Sequence, residues 1–236
     1  MKWTFGFLRH RRAACSLLLP VVRRDIWRKI HVTAGGGQQI HTQSPESSRP
    51  IGRYPTPNKE DLPQDIVKQM EAAEKEYGFL PNVFKLMSHR PAEFRALFTY
   101  YDAIMNRKTE RLNKADKELI AVAVSAANKC LYCVTKHSAL HRIFSKHPTL
   151  ADQVIVNWEL AELSHQELAM LKFAMAVARA ETITEEHFKE LEEHGFDQED
   201  AWDIAMVSAF FALANRLAHF TDLRPNKELY SLGRIL

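Results

Sequence analysis

Residues 115–142 read ADKELIAVAVSAANKCLYCVTKHSALHR. Asn113 stands where a helix N-cap is needed for Lys114–Asn128, a run free of Gly and Pro. Asn128-Lys129 then reads as a break between two helices. That places Cys130 and Cys133 in the first turn of the second helix, with no β-strand before them. A thioredoxin-type CxxC follows a strand in an α/β fold, so this one belongs to a different architecture.

Within the stretch, Glu118, Cys130, Cys133 and His137 form the pattern E-x11-C-x2-C-x3-H. At about 100° per residue, Cys133 and His137 lie ~40° apart on a helix, with Cys130 ~60° to the other side. The three share a face. Thiols at a helix N-terminus gain from unpaired backbone N–H groups and the helix dipole, and Lys129 and Lys136 add positive charge nearby. Two thiols, a base and a carboxylate to orient it are the equipment of redox chemistry at sulfur. Glu118 reaches the others only if its helix folds back on the next.

Other uses of a CxxC fit less well. Haem attachment needs His directly after the second Cys, but residue 134 is Val. Cys130, Cys133, His137 and His141 offer four zinc ligands. They lie on about one helix, whereas zinc sites draw ligands from two segments. A pair of buried inert thiols is the plainest alternative.

Outward from this stretch the chain reads as helix after helix. Asp61-Leu62-Pro63 opens a helix that Gly78 closes, and Pro91 suits the first position of PAEFRALFTYYDAIM. Ser164 and Glu167 form a capping box before LAMLKFAMAVARA. Thr184 starts EEHFKELEEH, Gly195 ends it, and Asp197 caps the apolar run AWDIAMVSAFFALANRLAHF. No alternating run bounded by turn dipeptides signals a strand. The expectation is an all-α, compact multi-helix bundle over residues 59–236, with the CxxC at a helix N-terminus.

The residues before it differ in kind. Residues 1–50 hold nine Lys/Arg and two Asp/Glu, a net of +7, and the rest of the chain carries −4. A mildly acidic folded part argues against nucleic-acid binding. Up to Arg24 there are six basic residues and no acid, interspersed with Trp3, Phe5, Phe7 and Leu8. That is the profile of a mitochondrial transit peptide over residues 1–32, with a matrix location. A secretory signal around AACSLLLPVV and an unstructured basic tail are the alternatives; Pro20 and the short apolar run exclude a membrane span there. Residues 33–58, rich in Gly, Ser, Gln and Pro, read as a disordered linker. The only cysteine besides the pair is Cys15, which fits a reducing compartment.

The motif resembles that of the alkyl hydroperoxidase D group within the carboxymuconolactone decarboxylase-like superfamily. GFLPNVFKLMSHRPAEF and the segment Leu171–His219, with its Asn215-Arg216 pair, are similar to the peroxidase-related branch. The match spans about residues 60–236. The resemblance implies an all-α fold that assembles into homo-oligomers: dimers, trimers or hexamers. It implies that Cys133 attacks a hydroperoxide to give a sulfenic acid, that Cys130 condenses with it to a disulfide, that His137 accepts the thiol proton, and that Glu118 orients the imidazole. An external dithiol, a lipoyl group or a thioredoxin-type protein, then reduces the disulfide; no cofactor or metal is implied. Tyr132 departs from the pattern, since some members carry His between the cysteines, and it donates a hydrogen bond or simply packs.

Arg216 reads as an internal ion-pair partner or a carboxylate binder, and His141 as a surface residue. MLKFAMAV and MVSAFFAL read as core or subunit interface. Two function classes follow: a thiol peroxidase or disulfide reductase, and a non-catalytic redox-sensing or assembly protein. Lactone decarboxylation has no evident need for a dithiol.

Overall fold

The computed structural model describes residues 49–234. The targeting segment expected at 1–32 and most of the linker expected at 33–58 lie outside the described residues. Among the described residues there are nine α-helices and no strand. They are α1 (Gln64–Tyr77), α2 (Asn82–Met87), α3 (Pro91–Met105), α4 (Lys114–Ala127) and α5 (Leu131–Ser145), then α6 (Leu150–Asn157), α7 (His165–Ala178), α8 (Glu185–Glu193) and α9 (Gln198–Phe220). No helix among them is long and apolar enough to cross a membrane.

The caps sit where the sequence signals place them. Asn113 with Asp116, Ser164 with Glu167, and Asp197 with Asp200 form reciprocal capping boxes for α4, α7 and α9. Pro91 occupies the first turn of α3, where its missing N–H costs nothing. Gly78 ends α1 at φ +76°, a left-handed conformation that glycine adopts without strain. Two short helices carry no comparable signal: α2 and α6 each lack a side-chain cap and are held by packing.

The antiparallel hairpin α4–α5 is the centre of the bundle. Every residue of α4 from Lys117 to Ser125 is buried, because α5, α6, α7 and α9 all pack around it. The small and β-branched run IAVAV lets these neighbours approach closely, and Met170, Phe173, Met175, Ile204 and Phe211 fill the space between them. Lys117 survives burial because its Nζ donates to the carbonyls of Ile104 and Arg107 at 2.9 and 2.7 Å, closing the C-terminal end of α3. A second apolar cluster joins α1, α2 and α3, where the rings of Phe84 and Phe98 stack at 4.3 Å.

Residues Ile51–Tyr54 lie against the bundle. Arg53 N–H donates to Thr221 O at 2.7 Å, and Arg224 N–H donates to Ile51 O at 2.8 Å. Gly52 is buried there; a Cβ on it would stand 2.8 Å from Leu86 Cδ1 and 3.0 Å from Thr221 O.

Candidate functional site

The break between α4 and α5 is a tight turn. Asn128 ends α4, Lys129 takes the left-handed region at φ +55°, and Cys130 is the N-cap of α5. Cys130 N–H returns to Ser125 O at 2.9 Å, which ties the turn to the buried end of α4. Cys133 follows one turn on and His137 one turn further, on the face of α5 that meets α4 and α9. The hairpin thereby brings Glu118 onto that face: Glu118 Oε2 lies 2.6 Å from His137 Nδ1. Both side chains are 5% exposed.

The carboxylate can only accept, so Nδ1–H donates and Nε2 is left as the free acceptor of the ring. Burial pushes the imidazole below its ordinary value, against the pull of Glu118, and the Lys136 ammonium pushes the same way as burial. His137 is therefore poised as a neutral base. Phe211 of α9 meets the ring edge-on at 4.5 Å between centroids and fixes its plane.

Both thiols are free and buried, 2% exposed for Cys130 and 4% for Cys133. The two thiols are neighbours that share a hydrogen bond and titrate as a pair. That bond lowers Cys130 to about 7 against the opposing effect of burial, helped by the backbone N–H of Cys133 and by His219. The same bond, with burial, pushes Cys133 up. The pair thus ionises once near neutrality and resists a second loss. Asn215, wholly buried in α9, favours the ionised form of both cysteines. Its amide is held by a hydrogen bond to Ser125 Oγ at 2.9 Å and another from Asn128 Nδ2 at 2.9 Å.

The two cysteines face different openings. Cys133 and His137 line an apolar pocket of about 70 Å³ walled by Leu86, Leu97, Phe98, Phe210 and Leu217. Cys130 lines a more polar groove of about 170 Å³ with Lys129, His219 and Arg224. Tyr132, between them, is buried, and its hydroxyl accepts from Val83 N–H at 3.3 Å.

All four motif residues are therefore brought together. Others fall elsewhere than the sequence suggests. His141 is 1% exposed, not on the surface: its i+4 spacing from His137 keeps it on the inward face, where burial lowers it to about 4. Its Nδ1 has no hydrogen-bond partner. Among the described residues, no three His, Cys, Asp or Glu side chains are placed to hold a metal ion. Arg216 is exposed, and its guanidinium donates to Ala212 O of its own helix instead of forming an ion pair. Tyr101 stands at the site without having been singled out, and Lys136, read as positive charge near the thiols, is part of it. Lys136 is 5% exposed, and its position beside His137 was the available signal.

A model of the carboxymuconolactone decarboxylase family matches residues 91–148, which span α3, α4 and α5. A peroxidase-related protein of Ralstonia eutropha JMP134, described as an alkylhydroperoxidase AhpD core, is 48% identical. The match covers 80% of this chain and 99% of that one, with a TM-score of 0.77. A peroxidase-related protein of Silicibacter sp. TM1040 is 33% identical over 79% of this chain and 97% of its own, with a TM-score of 0.74. The debrominase Bmp8, at 23% identity and a TM-score of 0.60 over 78% and 95% of the two chains, shares the fold. No curated protein matches the chain.

Proposed function

The chain belongs to the alkylhydroperoxidase D-like, carboxymuconolactone decarboxylase-like superfamily, and on that footing we propose that it is a thiol-dependent hydroperoxidase working through a Cys130–Cys133 disulfide. The observation that carries the reading is the joining of Glu118, His137 and the thiol pair in one buried cluster at the N-terminus of α5.

Each step has a group to perform it. His137 Nε2 takes the proton of Cys133 while Glu118 holds the resulting imidazolium. The Cys133 thiolate attacks the terminal peroxide oxygen; the O–O bond breaks, and the alkoxide leaves with the proton from His137 as an alcohol. Cys133 is then a sulfenic acid. Cys130 gives its proton to the neutral His137, its sulfur attacks the sulfenic sulfur, the S–S bond forms as the S–O bond breaks, and the hydroxide takes that proton from His137 and leaves as water. An external dithiol, lipoyl or thioredoxin-type, restores both thiols by exchange and is itself oxidised to a disulfide. The apolar pocket beside Cys133 supports an organic hydroperoxide as the oxidant. The basic, acid-free segment at the start of the chain supports a mitochondrial matrix location. The exposed stripe of Trp202, Ala209, Leu213 and Phe220 along α9 supports a homo-oligomer.

The deciding experiment is thiol counting with intact mass, before and after one equivalent of an alkyl hydroperoxide. Loss of both thiols and about two mass units, reversed by a dithiol, is the expected result. Two unreactive thiols would overturn the proposal and leave a redox-silent or assembly role.

A further inference from the structure

Lys136 presents a problem that the peroxidase reading does not solve. Its side chain is buried, and among the described residues it forms no ion pair. Burial pulls the amine below its ordinary value, because isolated buried ammonium groups are costly, while Glu118, Cys133, Glu76 and Asp102 pull it back up. The Nζ lies 5.4 Å from the centre of the Tyr101 ring and 5.7 Å from that of Tyr77, so two π-faces flank it.

Its position is also unusual. Lys136, Phe98 and Tyr101 form the partition between the apolar thiol pocket and a second, polar cavity of about 230 Å³. That second cavity is lined by Glu118 within and by Glu76, Asp102, Asn106 and Lys114 elsewhere along its walls. Glu118 thus faces the polar cavity while its partner His137 faces the thiol pocket.

We infer that Lys136 is the charge-setting residue of the site, a buried cation that keeps His137 neutral, and so able to accept the thiol proton. This inference deepens the hydroperoxidase reading but concerns protonation, and so is tested apart from turnover.

The charges around the ammonium can be counted from every side. Helix α1 presents Glu76 and Tyr77, α3 presents Tyr101 and Asp102, and α4 presents Glu118, with the exposed Lys114 further along the same wall. Helix α5 itself presents Cys133 and His137, while α9 presents Phe210 and Phe211, which carry no charge. The buried inner set at rest is then one cation, Lys136, and one anion, Glu118, with His137 neutral. Moving the proton from Cys133 to Nε2 of His137 adds one anion and one cation, and the set remains balanced. Without Lys136 only burial opposes the pull of Glu118, and the His137 ring takes up a proton more readily at rest. A ring that is already an imidazolium has no lone pair for the thiol. A thiolate formed afterwards adds an uncompensated negative charge in a water-poor pocket.

Lys136→Met keeps the length and the apolar stem but removes the charge. Histidine ring titration by NMR is expected to show His137 rising by at least about one pH unit. Iodoacetamide alkylation of the thiols near pH 7 is expected to slow about tenfold, with Lys136→Arg recovering much of the rate. Unchanged His137 titration and unchanged alkylation in a folded Lys136→Met protein would overturn the inference. Should that variant not fold, direct titration of the Lys136 amine in the wild-type protein decides: a neutral amine at pH 7 overturns it, and a charged one supports it. These readouts need no peroxide. A protein that alkylates as expected yet ignores hydroperoxide refutes the peroxidase reading and leaves the role of Lys136 standing.

Discussion

His137 Nδ1 and Glu118 Oε2, nineteen residues apart in the chain, meet at 2.6 Å inside the α4–α5 hairpin, closed off from solvent. Such a bond fixes both the tautomer and the tilt of the ring. Glu118→Gln keeps the shape but removes the charge that stabilises an imidazolium. Peroxide consumption should fall by about a hundredfold or more, while the circular dichroism spectrum stays helical. A variant with wild-type turnover would show that the imidazole does not gain charge during the reaction.

The proposed cycle gives Cys133 the attack on peroxide and Cys130 the resolving step. Cys133→Ser should abolish peroxide consumption. Cys130→Ser should consume about one equivalent and then stop, leaving a sulfenic acid that dimedone traps. Normal turnover by Cys130→Ser would exclude the two-cysteine cycle.

Tyr132→Phe removes the acceptor of Val83 N–H and leaves that partly buried donor unpaired. The expected cost is about 1 kcal/mol, a fall in Tm of roughly 2–4 °C. Activity should stay within a few-fold, since the hydroxyl is turned to the backbone of α2. Loss of activity at unchanged Tm would give Tyr132 a chemical role.

The buried His141 makes stability depend on pH. Its folded value is lowered to about 4 from the ordinary value of 6.5, because burial disfavours the charged ring. Between those values the unfolded chain binds a proton that the folded protein refuses, so stability falls as pH drops from about 6.5 towards 4. Urea unfolding at pH 7 and pH 4.5 should show His141→Leu losing less stability than wild type, by at most about 3 kcal/mol. Equal losses would mean that the ring takes up its proton in the folded state.

Helix α9 turns Trp202, Leu213 and Phe220 outward, each more than half exposed. Leu213→Glu places a charge in the middle of that stripe. Light scattering should then report a smaller species than wild type at equal concentration, with helicity unchanged. An identical mass would count against this stripe as a subunit contact.

Much of the fold was legible because its signals are local. Asn113, Ser164 and Asp197 each cap a helix through a carboxylate three residues on. The all-α class, the break at Asn128-Lys129 and the shared face of Cys130, Cys133 and His137 follow from spacing alone. What escaped is what tertiary packing decides. Helix α2 has six residues and no cap, and it exists because Phe84 and Leu86 are buried. Lys136 read only as positive charge near the thiols, and His141 as a surface residue, yet α1 and α3 bury the first and the inward face of α5 takes the second. Asn215 drew notice only through resemblance; its place beside the sulfurs depends on α9 crossing α4, which no local pattern encodes.

The strap of Ile51–Tyr54 has a bearing on where the chain can be cut. Gly52 presses on Leu86 and on the carbonyl of Thr221, and both of those residues wall the thiol pocket. Two wall residues of the chamber that holds Cys133 are thus braced from behind by chain upstream of the first helix. A proteolytic product or recombinant fragment that starts at the helical bundle proper keeps every motif residue and every lining residue but loses that brace. The smallest faithful unit begins before Ile51, and substrate selectivity measured on anything shorter belongs to a chamber with an unbraced wall.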